Sequence, residues 1–141
     1  MYVPDQNAPL FRFELVTPEK VALSSFEKAV MLPGEDGDLT VLAKHTPMLI
    51  ALRAGIVALS RPAGTPSQEF FISGGFVDIN AEHCIVLTPQ AVALEDLNRA
   101  DIDDKITRLQ VDIQGTDDLK LRDHMTQQLA VLKLQLDVAT R

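Results

Sequence analysis

The run Cys84-Ile85-Val86-Leu87-Thr88-Pro89 and the series Ile102, Ile106, Leu109 and Ile113, spaced at intervals of 4, 3 and 4, mark a change of period that decides the fold. The first is aliphatic and closed by a proline, which suits a strand buried in a sheet. The second places four apolar side chains on one stripe of a helix, because positions three and four apart share a face. Upstream of Pro89 the chain keeps the period of a strand, and downstream that of a helix.

Back from Pro89 to Leu10, short runs of Val, Ile, Leu and Phe are interrupted every ~8–12 residues by turn formers, the pattern of an antiparallel sandwich or barrel. Phe11, Phe13 and Leu15 alternate with Arg12 and Glu14, predicting a strand with one wet face. Breaks are expected at Thr17-Pro18-Glu19, Pro33-Gly34-Glu35-Asp36-Gly37, His45-Thr46-Pro47, Arg61-Pro62-Ala63-Gly64-Thr65-Pro66, Ser73-Gly74-Gly75 and Asn80-Ala81-Glu82. Candidate strands lie near 10–17, 20–24, 26–32, 38–42, 48–51, 54–60, 68–73, 76–79 and 84–88, with Ser73-Gly74-Gly75 read as a tight turn between two of them.

Forward from Pro89, Asp96 is the expected N-cap, and Asp101, Asp103 and Asp104 favour the positive end of the helix dipole. Gln114-Gly115-Thr116 supplies a stop, with glycine where a left-handed cap is wanted. A second helix is expected from Asp117 or Asp118, carrying Leu121, Met125, Leu129, Leu132 and Leu136. The short turn between the two helices predicts an antiparallel hairpin. The expected class is therefore β followed by α: an antiparallel β-sandwich of about nine or ten strands over residues 1–89, then a helical hairpin over residues 90–141.

A length of 141 residues allows one ordinary domain with an appendage, and 46% hydrophobic residues set it apart from disordered chains. Thirteen Lys and Arg against twenty Asp and Glu leave a net charge of −7, which repels phosphate backbones and argues against a nucleic-acid partner. The single Cys84 permits no internal disulfide. Met1-Tyr2-Val3-Pro4-Asp5-Gln6-Asn7 lacks the basic start and apolar run of a secretory signal. No stretch approaches the ~20 apolar residues that cross a bilayer, so the expectation is a cytosolic chain, docked to something larger and without direct membrane insertion.

Catalytic signals are weak. His83 and Cys84 are adjacent in a predicted strand and point to opposite faces, so a buried thiol beside an exposed imidazole is the expected arrangement, not a metal pair or a base with its nucleophile. Gly34 and Gly37 are followed by Asp38 where a phosphate loop needs amides and a lysine. Glu35, Asp36 and Asp38 lack the alternating oxygen ligands of a calcium loop and read as a solvated acidic hairpin tip. The expectation is no metal and no cofactor.

Four motifs occur in order: Gly34-Glu35-Asp36-Gly37-Asp38-Leu39, His45-Thr46-Pro47-Met48-Leu49, Gly55-Ile56-Val57, and Ile72-Ser73-Gly74-Gly75-Phe76-Val77-Asp78-Ile79. With a helix beginning Asp96-x-x-Arg99-Ala100 behind them, they resemble the epsilon-subunit family of bacterial F-type ATP synthases over roughly residues 10–138. The chain departs from the family's common pattern at Thr40 and at Ala43-Lys44, which alters turns and not the fold. Some family members bind ATP through Ile/Leu-Asp-x-x-Arg-Ala and arginines on the second helix. Asp96, Arg99 and Ala100 match that motif, Glu95 replaces its aliphatic residue, and the second helix offers only Lys120, Arg122, Lys133 and Arg141.

The resemblance implies a non-catalytic rotor subunit of the central stalk, coupling proton-driven rotation of the c-ring to ATP synthesis elsewhere in the complex. Its implied partners are the gamma subunit and the c-ring, with alpha and beta as further candidates through the hairpin. The implied location is peripheral, on the cytoplasmic face of the bacterial inner membrane. Glu35, Asp36, Asp38 and His45 become candidates for c-ring contact, and Asp96 and Arg99 candidates for nucleotide contact. Inhibitory relatives carry a basic C-terminal helix. Residues 90–141 hold ten acidic residues against seven basic ones, so at most mild inhibition of hydrolysis is expected here.

Overall fold

The computed structural model describes residues 9–62 and 67–140. The predicted Arg61–Pro66 turn therefore falls partly, and Arg141 wholly, outside the described residues. The order is β1 (Phe11–Val16), β2 (Val21–Glu27), β3 (Ala29–Gly34), β4 (Gly37–Leu42), β5 (Met48–Ser60), β6 (Gln68–Ile79), β7 (His83–Leu87) and β8 (Ala91–Ala93), then a 3-10 turn (Leu94–Asp96), α1 (Arg99–Gln114) and α2 (Leu119–Ala139). The chain divides between Ala93 and Leu94 into two compact units.

Strands pair in the order β2-β1-β7-β6-β5-β3-β4, with β8 also on β6, and β1 beside β7 is a parallel pair. Two long strands make this one ladder into a sandwich. β5 and β6 pair antiparallel along almost their whole length, from Met48↔Ile79 to Leu59↔Gln68. The first half of β5 and the second half of β6 extend a layer with β7, β1 and β2, while the remaining halves extend a second layer with β3, β4 and β8. The core-facing side chains change parity between the halves: Leu52 gives way to Val57 and Leu59 on β5, and Phe70 and Ile72 to Val77 and Ile79 on β6. The ribbon therefore turns over at Arg53 and Gly74, and both layers send apolar side chains into one cluster with Phe11, Phe13, Leu15, Val30, Leu32, Val41, Cys84 and Val86.

This corrects the expected turn at Ser73-Gly74-Gly75, which lies inside β6. Gly74 and Gly75 have φ of 114° and 126°, in the left-handed half of the map that side chains avoid. A Cβ on Gly75 would lie 2.0 Å from the Leu87 carbonyl oxygen, so β7 can approach only a bare backbone. Segments 48–51 and 54–60 thus fuse into β5, and 68–73 and 76–79 into β6. Ala91–Ala93 adds a short strand beyond Pro89, leaving eight strands among the described residues.

Where β2 meets β3, the fully buried Glu27 accepts from Arg61 Nε at 2.8 Å and from the Ser25 hydroxyl at 2.8 Å through Oε1. Arg61 also donates to Gln68 Oε1 at 3.2 Å, which fastens the start of β6 to the end of β2. Cys84 is fully buried, and burial together with the nearby Asp78 charge pushes its thiol up to about 12. His83 is half-buried, not exposed, because the Asn80 side chain reaches its ring at 3.1 Å.

In the second unit Asn98, not Asp96, caps α1. Asn98 is extended and its side chain accepts from the Asp101 amide at 3.2 Å, whereas Asp96 ends the 3-10 turn two residues earlier. Asp118 caps α2 by accepting from Lys120 and Leu121. Ile102 and Ile106 are buried and Leu109, Ile113, Met125, Leu129, Leu132 and Leu136 half-buried, while Leu121, at the start of α2, is exposed. Gly115 ends α1 at φ −87°, so the expected left-handed cap is absent and no glycine is required.

The two glycine environments predict opposite outcomes. Gly75→Ala should lose about 2–4 kcal/mol in urea unfolding, whereas Gly115→Ala should change stability by less than about 1 kcal/mol, in the stabilising direction. A second prediction concerns Cys84. Its folded pKa is raised, so the stability it contributes is intact below the unfolded value of 9.0 and is lost as pH climbs towards 12. Between pH 8 and 10, wild type should therefore lose about 1.4 kcal/mol more than Cys84→Ala, measured by parallel denaturant titrations.

Candidate functional site

The β3–β4 hairpin closes on the pair Gly34↔Gly37, leaving Glu35 and Asp36 at its apex. Gly37 has φ of 143°, as a tight hairpin turn requires. Glu35, Asp36 and Asp38 are exposed, in agreement with an acidic tip in water. Their environments differ. Arg53, at the turnover of the β5–β6 ribbon, donates from Nη2 to Asp38 Oδ1 at 2.5 Å and from Nη1 to the Gly34 carbonyl at 2.5 Å. Glu35 donates its amide to the Ala51 carbonyl at 2.9 Å. The carboxylates of Glu35 and Asp36 form no salt bridge among the described residues, so they are the negative charge the turn presents.

His45 sits in the connection from β4 to β5. Its Nδ1 donates to the Thr46 carbonyl at 2.7 Å, which fixes the tautomer, and the preceding Lys44 adopts φ of 63° while donating its amide to Ala81. The acidic tip and His45 are separated by the whole of β4, six residues or about 20 Å of extended chain. The structure does not gather the four predicted contact residues into one cluster.

Asp96 and Arg99 are both exposed and no ion pair joins them among the described residues. Arg99 opens α1, whereas Lys120 and Arg122 stand near the start of α2, beyond the far end of that sixteen-residue helix. About 24 Å of helix lies between them. Lys133, further along α2, is the one remaining described cation on that helix.

A larger feature was not evident from the sequence. On the face of the first layer turned away from the core, Ala51 pairs Phe76, Phe76 pairs Leu87, Leu87 pairs Val16 and Val16 pairs Val21. An apolar row thus crosses five adjacent strands. Phe76 and Val21 are each 54% exposed and Leu87 48%, with Leu49 at 72% on the neighbouring row. Charged groups beside it include Asp78, Glu19 and Lys20 of the β1–β2 turn, and the Arg12–Glu14 pair, which meet at 2.8 Å. Its sequence signal is that the strands carry apolar residues on both faces, at Leu15-Val16, Ala51-Leu52, Phe76-Val77 and Val86-Leu87. Contiguous exposed apolar bands mark interaction surfaces, since scattered single residues are the norm on monomers.

Comparison with known proteins agrees with this architecture. Residues 10–94 match the family described as ATP synthase, Delta/Epsilon chain, beta-sandwich domain. A protein named ATP synthase epsilon chain from Chelativorans sp. is 36% identical over 119 residues, covering 84% of each chain. Its namesake from Ruegeria sp. is 38% identical over 99 residues, 70% of this chain and 71% of that one. Among solved structures, a chain of the Euglena gracilis mitochondrial ATP synthase OSCP/F1/c-ring assembly superposes with a TM-score of 0.75 at 22% identity, covering 99% of this chain and 88% of that one. A chain of the Tetrahymena thermophila mitochondrial ATP synthase central stalk/c-ring gives 0.66 at 18% identity, covering 94% of this chain and 98% of that one. At those identities the superpositions establish the fold, and the family rests on the sequence matches. A sandwich built around the turned-over ribbon, the acidic hairpin tip and the homology over most of its length together show that this chain belongs to the family of ATP synthase epsilon chains.

Proposed function

We propose that this epsilon chain works as a non-catalytic part of the rotor, joining the gamma subunit to the c-ring so that rotation driven by protons at the ring reaches the catalytic head. The apolar row over five strands carries this reading, because it supplies the wide, water-excluding surface that a permanent partner requires. Gamma docks on that face. The acidic turn and the His45 turn face the polar loops of the ring, where Glu35 and Asp36 pair with basic residues. Two solved relatives of this fold stand in assemblies described as F1/c-ring and central stalk/c-ring, which supports the same placement here.

A rotor part must transmit torque without yielding. The close-packed core and the Gly75–Leu87 approach, which leaves the strands no room to slide, suit that demand. No catalysis is assigned to the chain: Cys84 is a buried thiol whose ionisation is suppressed and the His83 ring is held by Asn80. The site of action is the cytoplasmic face of the bacterial inner membrane. Attachment is peripheral and through partners, in keeping with the absence among the described residues of a helix both long and apolar enough to cross a bilayer. The hairpin reaches alpha and beta as a mild regulator, with weak or no ATP binding at Asp96 and Arg99, because the further cations of α2 are spread along its length.

Two experiments test the proposal. Phe76→Glu, on the outward face, should leave the melting temperature nearly unchanged and weaken association with gamma by 30-fold or more, about 2 kcal/mol, in a binding titration. Unaltered gamma binding would exclude this face. A chain ending at Ala93, which keeps β8 on the sheet, should still assemble with gamma and the c-ring and should raise ATP hydrolysis by the complex less than about twofold. Failure to assemble, or a tenfold rise, would reassign the hairpin a structural or strongly inhibitory role.

A further inference from the structure

Arg53 occupies the level at which the β5–β6 ribbon turns over. The ladder passes from Leu52↔Gly75 to Ala54↔Ser73, and Arg53 and Gly74 form no pair within it. Gly74, at φ of 114°, permits that break, and the arginine is left free to aim away from the ladder. Its guanidinium reaches the β3–β4 hairpin and takes hold at both sides of the apex, at the Gly34 carbonyl and at the Asp38 carboxylate. Ala51, two residues earlier on β5, receives the Glu35 amide on the same hairpin.

These contacts have two consequences. The chain is tied to β5 on each side of the apex, by the Gly34 carbonyl and Glu35 amide before it and by the Asp38 side chain after it, so the apex is held more closely than a free hairpin tip. The charge is also edited: Arg53 offsets Asp38, and the turn offers two uncompensated carboxylates in place of three. A salt bridge this exposed adds little to global stability, with Arg53 at 46% and Asp38 at 78% side-chain exposure. Its effect is therefore on local order. Preorganisation of this kind lowers the entropy lost when the apex meets a partner.

We infer that Arg53 is the positioning residue of the acidic turn, holding Glu35 and Asp36 as a fixed dianionic contact for a cationic loop. The inference deepens the reading of this turn as the c-ring contact and rests on it for the identity of the partner. A forked grip on a carbonyl and a carboxylate together demands guanidinium geometry, and lysine, a single compact cation, cannot reproduce both contacts.

The test uses the full-length chain, alone and reconstituted into the ATP synthase. In the free chain Arg53→Ala should speed exchange of the Glu35 amide, which is bonded to Ala51, at least tenfold, leave exchange in β1, β6 and β7 unchanged, and hardly move the melting temperature. In the complex, Arg53→Ala should lower ATP-driven proton pumping per ATP hydrolysed by two- to fivefold, with partial recovery in Arg53→Lys. Arg53→Ala combined with Asp38→Ala restores the wild-type net charge without the grip and should remain as defective as Arg53→Ala alone. Full recovery in that double variant would overturn positioning in favour of charge, and unchanged apex exchange in Arg53→Ala would overturn it outright. Asp36→Lys separates the two ideas. If it leaves pumping intact, the turn is not the ring contact, and the exchange measurement alone decides what Arg53 does.

Discussion

The turnover of the β5–β6 ribbon is the constraint on which the sandwich depends. A two-stranded ribbon thirteen and twelve residues long would, if flat, present the same alternate residues to one side throughout. Each half instead serves a different layer, and the inward set changes parity at Arg53 and Gly74. Glycine is needed there for backbone dihedrals and, at Gly75, for the space that lets β7 close against β6. β3, β7 and β8 take their layers from the half of the ribbon they join, and β1, β2 and β4 follow as neighbours of those strands.

The same turnover links core to surface. By placing Leu87 and Phe76 outward on neighbouring strands, it aligns them with Val16, Val21 and Ala51 across the first layer. By interrupting the ladder at Arg53, it releases a guanidinium to the acidic hairpin. Two surfaces of opposite character, one apolar and broad, the other anionic and small, thus arise at the level of one backbone feature. In the proposed rotor role the apolar surface would meet gamma and the anionic turn the c-ring.

Most of the architecture was legible in the sequence because hydrophobic period is a local signal. The alternation at Phe11, Phe13 and Leu15 and the stripe at Ile102 and Ile106 appear in the fold as read, and so does the acidic turn. What escaped was non-local. Ser73-Gly74-Gly75 has the composition of a turn, and nothing nearby reveals that β7 and β5 flank it and keep it extended. Asp96 and Asn98 are equally good caps by residue type, and the 3-10 turn decides between them. The apolar row exists only once the register of five strands is known. Arg53 and Asp38, fifteen residues apart, carry no sign in sequence that they meet.

The exposed row also bears on how the protein must be supplied. A free copy carries Phe76, Leu87 and Val21 into water on an open sheet that ends at the edge strand β2. The run from Val21 to Phe26 has neither charge nor proline to deter another strand from pairing with it. Excess chain would thus be prone to self-associate, and docking of gamma on this face, as proposed above, would remove the danger. Matched production of the subunits, or capture of each new chain soon after synthesis, becomes a solubility requirement written into the outer face of one sheet.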